Sequence, residues 1–280
     1  MKKTLLLGAI FALTLNTLAQ ESITLNSLWQ RYEFYAGGIS GLRSMNDGAH
    51  YTTQGKGTIE QYSYETGKQV GIVLDVTALN SEAAEVPTFD AYALSDDESW
   101  AILKTETTKI YRRSSASVVW LVDLQSHEAR KLRLEKVRYA TFSPDGAFVA
   151  YVLENDLFVY DIQSAAHNRI TNDGAFNRII NGATDWVYEE EFAIVKAFWW
   201  SPNAESIAFL RFDERNVRSF NMDMYGKELY PNPYTFKYPK AGEDNSIVTA
   251  HLWNMKSAKI QQVLKDVPFE YLPRAQWSNE

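Results

Sequence analysis

Cysteine is absent from this 280-residue chain. That excludes a disulfide framework and a lipid anchor on Cys, so stability rests on packing. Histidine is scarce as well: His50, His127, His167 and His251 stand apart, without the paired spacing that would suggest a metal site. No phosphate-cradling glycine loop or complete calcium loop occurs, so no cofactor is expected. A nucleophile elbow is also missing, because Gly38-Ile39-Ser40-Gly41 brings its second glycine one place too early for G-x-S-x-G. No catalytic residue is therefore assigned within the chain. Basic residues are outnumbered, 28 against 35 acidic, and the net charge of −7 argues against a nucleic-acid partner.

What is present points to strands. The chain is 45% hydrophobic and 14% aromatic, ample for a core, and its 16 Tyr and 8 Trp against only 14 Gly suit pleated surfaces. The first residues read as an address: Lys2 and Lys3 precede the apolar run TLLLGAIFALTL, and Asn16-Thr17-Leu18-Ala19 supplies small residues for cleavage. Residues 1–19 are thus expected to be a signal peptide, with export to a bacterial periplasm as the simplest destination. The run is too short for a typical membrane span. Without Lys2 and Lys3 the basic residues fall to 26 against 35 acidic, a net charge of −9.

One unit recurs along residues 20–280. YATFSPDGAFVAYVLENDLFVYDI (139–162) reads as strand, turn at Ser143-Pro144-Asp145-Gly146, then two alternating strands. Related copies are AYALSDDESWAILKTE (91–106) and FWWSPNAESIAFLRFDE (198–214), with weaker ones at LRSMNDGAHYTTQ (42–54) and RAQWSNE (274–280). The serines lie 48 and 58 residues apart, which fits four-stranded blades of about 40–50 residues with one insertion. The fold class is therefore all-β, a β-propeller, with room for about five blades. The last copy stops at its turn, so the propeller reads as truncated. Two stretches break the blade pattern: 177–197, where a short helix is expected to start near Thr184-Asp185, and 213–246, a long ordered loop or hairpin extension.

The expected helix carries DWVYEEEF (185–192), with Glu189, Glu190 and Glu191 side by side. Successive helical residues point about 100° apart, so three neighbouring acids cannot face one ligand, whereas two can flank it. One reading is a helix start favoured by the macrodipole. The other is a carboxylate pair that holds a substrate ammonium. Arg112, in KIYRRSS, is a second candidate. It suits either a loop offering a guanidinium to a carbonyl or carboxylate, or a solvated edge strand.

NGATDWVYEEEF, followed by WWSPNAESIAFLRFDE and YPKAGEDNSIV, resembles the N-terminal propeller of the dipeptidyl peptidase IV family within the prolyl oligopeptidase superfamily. The resemblance implies an eight-bladed propeller covering a C-terminal α/β-hydrolase domain. There a Ser-Asp-His triad would release N-terminal Xaa-Pro or Xaa-Ala dipeptides. It implies further that Glu190 and Glu191 bind the α-ammonium of peptides with a free N-terminus, that Arg112 holds a substrate carbonyl, and that Glu189 is structural. A homodimer is implied too. The G-W-S-Y-G-type nucleophile motif is not in this sequence, so the chain is expected to lack the hydrolase domain and to be inactive alone. A non-enzymatic secreted propeller acting as a binding module is the other reading.

Overall fold

The computed structural model describes residues 23–79 and 85–278. The expected signal peptide lies outside the described residues, as do the last two residues of the RAQWSNE copy. Two compact units divide at Ile39 and Ser40. In the first, Thr24 and Ser27 form a capping box that starts a short helix, α1 (Leu25–Trp29).

The second unit is built of antiparallel sheets in consecutive order. Blade 1 comprises β1 (Arg43–Ser44), β2 (His50–Gln54), β3 (Thr58–Ser63) and β4 (Gln69–Asp75). Blade 2 follows with β5 (Ala91–Leu94), β6 (Trp100–Lys109), β7 (Ser115–Asp123) and β8 (Ala129–Lys131). Blade 3 has β9 (Arg138–Phe142), β10 (Phe148–Leu153), β11 (Asp156–Asp161) and β12 (His167–Arg169). Each sheet is a simple meander, as a propeller blade requires. Period-2 alternation buries both faces of a blade. In β6, Leu103 packs with Ile59 and Trp120 in one apolar cluster, while its neighbour Ile102 packs with Val149 and Tyr151 in the next.

The recurring serine has a physical reason. Ser95, Ser143 and Ser201 are each buried, and each hydroxyl donates to the carboxylate or amide oxygen two residues on while accepting the N–H five residues on. The turn between two blade strands is thereby closed from inside. In blade 1 Met45 stands at the corresponding position, its N–H still bonding the His50 carbonyl, and only Asp47 is left to accept backbone N–H groups. That accounts for the weakness of the first copy.

Blade 4 contains both irregular stretches. Its first strand is split into β13 (Ile179–Asn181) and β14 (Phe198–Trp200), which lie end to end along β15 (Ser206–Asp213). Leu210 sits at the break, accepting the Gly182 N–H and donating to the Ala197 carbonyl, while the Ala197 N–H closes onto the Gly182 carbonyl. Residues 183–196 are therefore an insertion pinched at its base. Gly182 is required there: its φ is +72°, and a Cβ would press on Val152 and Leu157 at 3.2 Å. The 213–246 stretch contains the expected hairpin, β16 (Ser219–Met224) with β17 (Asn232–Lys237), before the blade resumes with β18 (Ile247–Asn254) and β19 (Lys259–Val263). The final copy forms no strand within the described residues, although Trp277 Nε1 donates to the Trp199 carbonyl at 3.1 Å. Among the described residues no helix is long and apolar enough to cross a membrane.

Candidate functional site

The insertion in blade 4 carries a second helix, α2 (Trp186–Phe192). Its start lies where the sequence places it. Asp185 is the N-cap, accepting the Tyr188 N–H at 3.0 Å, and its other oxygen accepts the Ser246 hydroxyl at 2.6 Å. Burial raises the Asp185 carboxyl above its ordinary range. One face of the helix is anchored by Tyr188, which packs edge-on to Phe212 and accepts the Leu272 N–H at 2.7 Å through its hydroxyl. Ala193 ends the helix in the left-handed conformation.

The three glutamates occupy three different environments. Glu189 is 1% exposed, and its Oε1 accepts the backbone N–H groups of Arg113 at 2.7 Å and Ser114 at 2.8 Å. A buried carboxylate needs such donors, and two short amide bonds to one oxygen supply them. They belong to the β6–β7 loop of blade 2, which is also closed internally by the Ile110 N–H on the Ser114 carbonyl and the Tyr111 N–H on the Ser114 hydroxyl. Glu190 then meets the side chain of the same loop: Arg112 Nε lies 3.2 Å from its Oε2. The Glu190 side chain is only 16% exposed, against 72% for Arg112. Glu191 is exposed, and among the described residues no hydrogen bond or ion pair involves its side chain.

Thus Arg112 and Glu190, candidates from separate parts of the sequence, are brought together, and Glu189 is the scaffold member that does it. Glu190 and Glu191 are therefore not equally shielded. Ser40 is exposed. Among the described residues, no group of three or more His, Cys, Asp or Glu could hold a metal ion.

Beside this pair lies a feature that sequence reading missed. A cavity of about 660 Å³ is lined by residues of blades 2, 3 and 4, among them Tyr111, Arg138, Asn155, Asp185, Trp186 and Glu214. Glu214 is 6% exposed, and burial pushes its carboxyl up to about 7, with the nearby Asp185 charge acting the same way. Burial lowers the Arg138 guanidinium and raises the Tyr111 hydroxyl, and pushes Tyr139 up to about 12. In the sequence Glu214 is simply the end of FDE, indistinguishable from a solvated strand end.

Comparison with known proteins identifies the family and the fold. Residues 95–280 match the family described as dipeptidyl peptidase IV (DPP IV) N-terminal region. The prolyl endopeptidase FAP of Bos taurus is 32% identical over 227 residues, covering 80% of this chain and 28% of its own. Dipeptidyl aminopeptidase B of Saccharomyces cerevisiae is 33% identical over 174 residues, covering 60% of this chain and 21% of its own. The crystal structure of Porphyromonas gingivalis dipeptidyl peptidase 4 superposes with a TM-score of 0.84 at 35% identity, over 91% of this chain and 37% of that one. The chain thus spans between 21% and 37% of the length of these proteins.

Proposed function

The chain belongs to the dipeptidyl peptidase IV family, matching its N-terminal region, and from that premise we propose that its propeller selects peptides by their free N-terminus for a serine-type dipeptidyl peptidase. The observation that carries this reading is the Glu190–Arg112 pair held in place by Glu189. Arg112 neutralises Glu190 in the absence of substrate, at 3.2 Å and largely in solvent. An arriving α-ammonium offers three N–H donors and can take over Glu190 while Glu191 accepts a second donor. The displaced guanidinium is then free to donate to a substrate carbonyl, which its planar fork suits.

An anchor at one end works as a ruler. If the N-terminus is fixed, only a set number of residues can extend toward a nucleophile, so an exopeptidase results. In this reading the nucleophile, its Asp and its His belong to an α/β-hydrolase domain joined to the propeller, and the products are Xaa-Pro and Xaa-Ala dipeptides. The enzyme would act outside the cytoplasm, exported by the segment 1–19.

Titration calorimetry of the chain with a free-N-terminus Ala-Pro peptide and its N-acetylated form tests the anchor. Acetylation removes the charge and leaves Glu190 without its incoming donor, a loss of about 2 kcal/mol or roughly thirtyfold in affinity. Glu190→Gln is expected to weaken the free peptide similarly and the acetylated one little. Equal binding of the two peptides would remove the anchor role.

A further inference from the structure

The cavity beside the anchor contains a titratable group that the anchor does not use. The Glu214 carboxylate lines it while 94% of the residue is withdrawn from solvent, 6% remaining exposed. Among the described residues no hydrogen bond or ion pair reaches that carboxylate, although the Glu214 backbone N–H is spent on the Arg178 carbonyl. The two bases near it are engaged elsewhere: Arg138 donates to the Asn155 side-chain oxygen, and Lys237 Nζ donates to the Val217 carbonyl at 2.6 Å. The carboxylate oxygens keep some exposure at the cavity wall, and a carboxylate so largely desolvated, with no donor from the protein, is costly. A donor delivered from outside would relieve that cost.

The rest of the cavity favours a cation as that donor. Its lining counts four acids, Glu135, Glu154, Asp185 and Glu214, against Lys136 and Arg138. Tyr111, Phe176 and Trp186 add aromatic surface, which suits both the apolar stem and the charged head of a long basic side chain. The volume of about 660 Å³ leaves room for one. The cavity also adjoins the anchor from two directions. Trp186 lies four residues before Glu190 on α2, just over one turn or about 6 Å along the same helix face. Tyr111 lines the cavity and directly precedes Arg112.

We infer that this cavity is the subsite for the side chain of the first substrate residue, and that Glu214 makes it select lysine or arginine there. The inference rests on the reading of Glu190 as the amine anchor. The charges that act on Glu214 are Asp185 and Asp213, which share its sign, and Arg138 and Lys237, which oppose it; Tyr111, whose hydroxyl burial raises, is the other titratable group of the lining that interacts with it. Because its carboxyl titrates near 7, the selection strengthens from pH 6 to pH 8 as Glu214 ionises.

The test compares Lys-Pro-Ala amide with its norleucine analogue, which keeps the stem and lacks the charge, by titration calorimetry on the chain at pH 8. The lysine peptide should bind at least tenfold more tightly. Glu214→Gln should erase the difference and leave the norleucine peptide within twofold of its original affinity. A wild-type chain that binds both peptides equally, while N-acetylation still weakens both, would overturn the subsite and spare the anchor. Insensitivity of both peptides to acetylation would instead overturn the anchor. The peptide comparison needs only the unaltered chain, so it stands even if the variant is poorly folded.

Discussion

The Glu189 carboxylate and the Ser114 backbone amide lie 2.8 Å apart although 75 residues separate them. This bond, with its 2.7 Å partner from Arg113, joins the inserted helix of blade 4 to a loop of blade 2. Glu189→Ala leaves two N–H groups without their acceptor and opens a void. The expected cost is about 3 kcal/mol, summing roughly 1–3 kcal/mol for each orphaned group. Glu189→Gln keeps an acceptor oxygen in place and should recover at least half of that loss. Urea unfolding measures both; an Ala variant within 0.5 kcal/mol of the parent would show that the loop is held by something else.

Arg112 should behave in the opposite way. Its ion pair with Glu190 is mostly in solvent on the arginine side, at 72% exposure, and such pairs contribute about 0–1 kcal/mol. Arg112→Met is therefore expected to leave the urea midpoint almost unchanged. The same substitution should weaken binding of an Ala-Pro peptide about tenfold, because the guanidinium is proposed to clamp a substrate carbonyl. A change in stability without a change in affinity would assign Arg112 to the scaffold.

Stability should fall as pH rises toward neutrality. Glu214 moves from the ordinary 4.5 to about 7 on folding, so between those values the folded state retains a proton that the unfolded chain has lost. Below the lower value both states are protonated and the group is neutral in its effect. Above the upper value both are ionised, and the folded state carries the full burden of a buried charge, about 3 kcal/mol at 1.36 kcal/mol per pH unit. Asp185, also raised by burial, acts with the same sign. Glu214→Gln should flatten the curve, gaining most above pH 7 and little at pH 5. Urea midpoints measured from pH 5 to pH 8 provide the check; parallel curves for parent and variant would place the titration on another residue.

The blade repeat was legible because each turn is local. Ser143, Asp145 and Phe148 satisfy one another within six residues, and the same chemistry returns at Ser95 and Ser201. Even the insertion was visible: the 58-residue serine spacing is longer than its neighbour because residues 183–196 loop out between β13 and β14. The Asp185 cap could be read for the same reason, since its Tyr188 N–H is three residues away. What could not be read is non-local. Glu189 is structural through contacts 75 and 76 residues distant, a role suggested only by resemblance. Glu214 gives no sign of burial in FDERN, because the cavity it lines is assembled from three blades.

The turns also contain a graded strain that can be measured. The fourth turn position is left-handed in every blade: Gly48 at φ 67°, Glu98 at 59°, Gly146 at 70° and Ala204 at 57°. Glycine adopts that region freely, whereas a residue with a Cβ loses roughly 1–2 kcal/mol there. A Cβ at Gly146 would find the nearest atom, Asp97 Oδ1, at an ordinary 3.5 Å, so no clash confuses the comparison. Gly146→Ala should therefore destabilise by about 1 kcal/mol from backbone conformation alone. Ala204→Gly should stabilise by up to a similar amount, less the entropy that glycine adds to the unfolded chain. Urea unfolding of the two variants, read for midpoint at constant slope, decides the matter. Shifts of the same sign would mean that side-chain contacts at these turns outweigh the left-handed backbone.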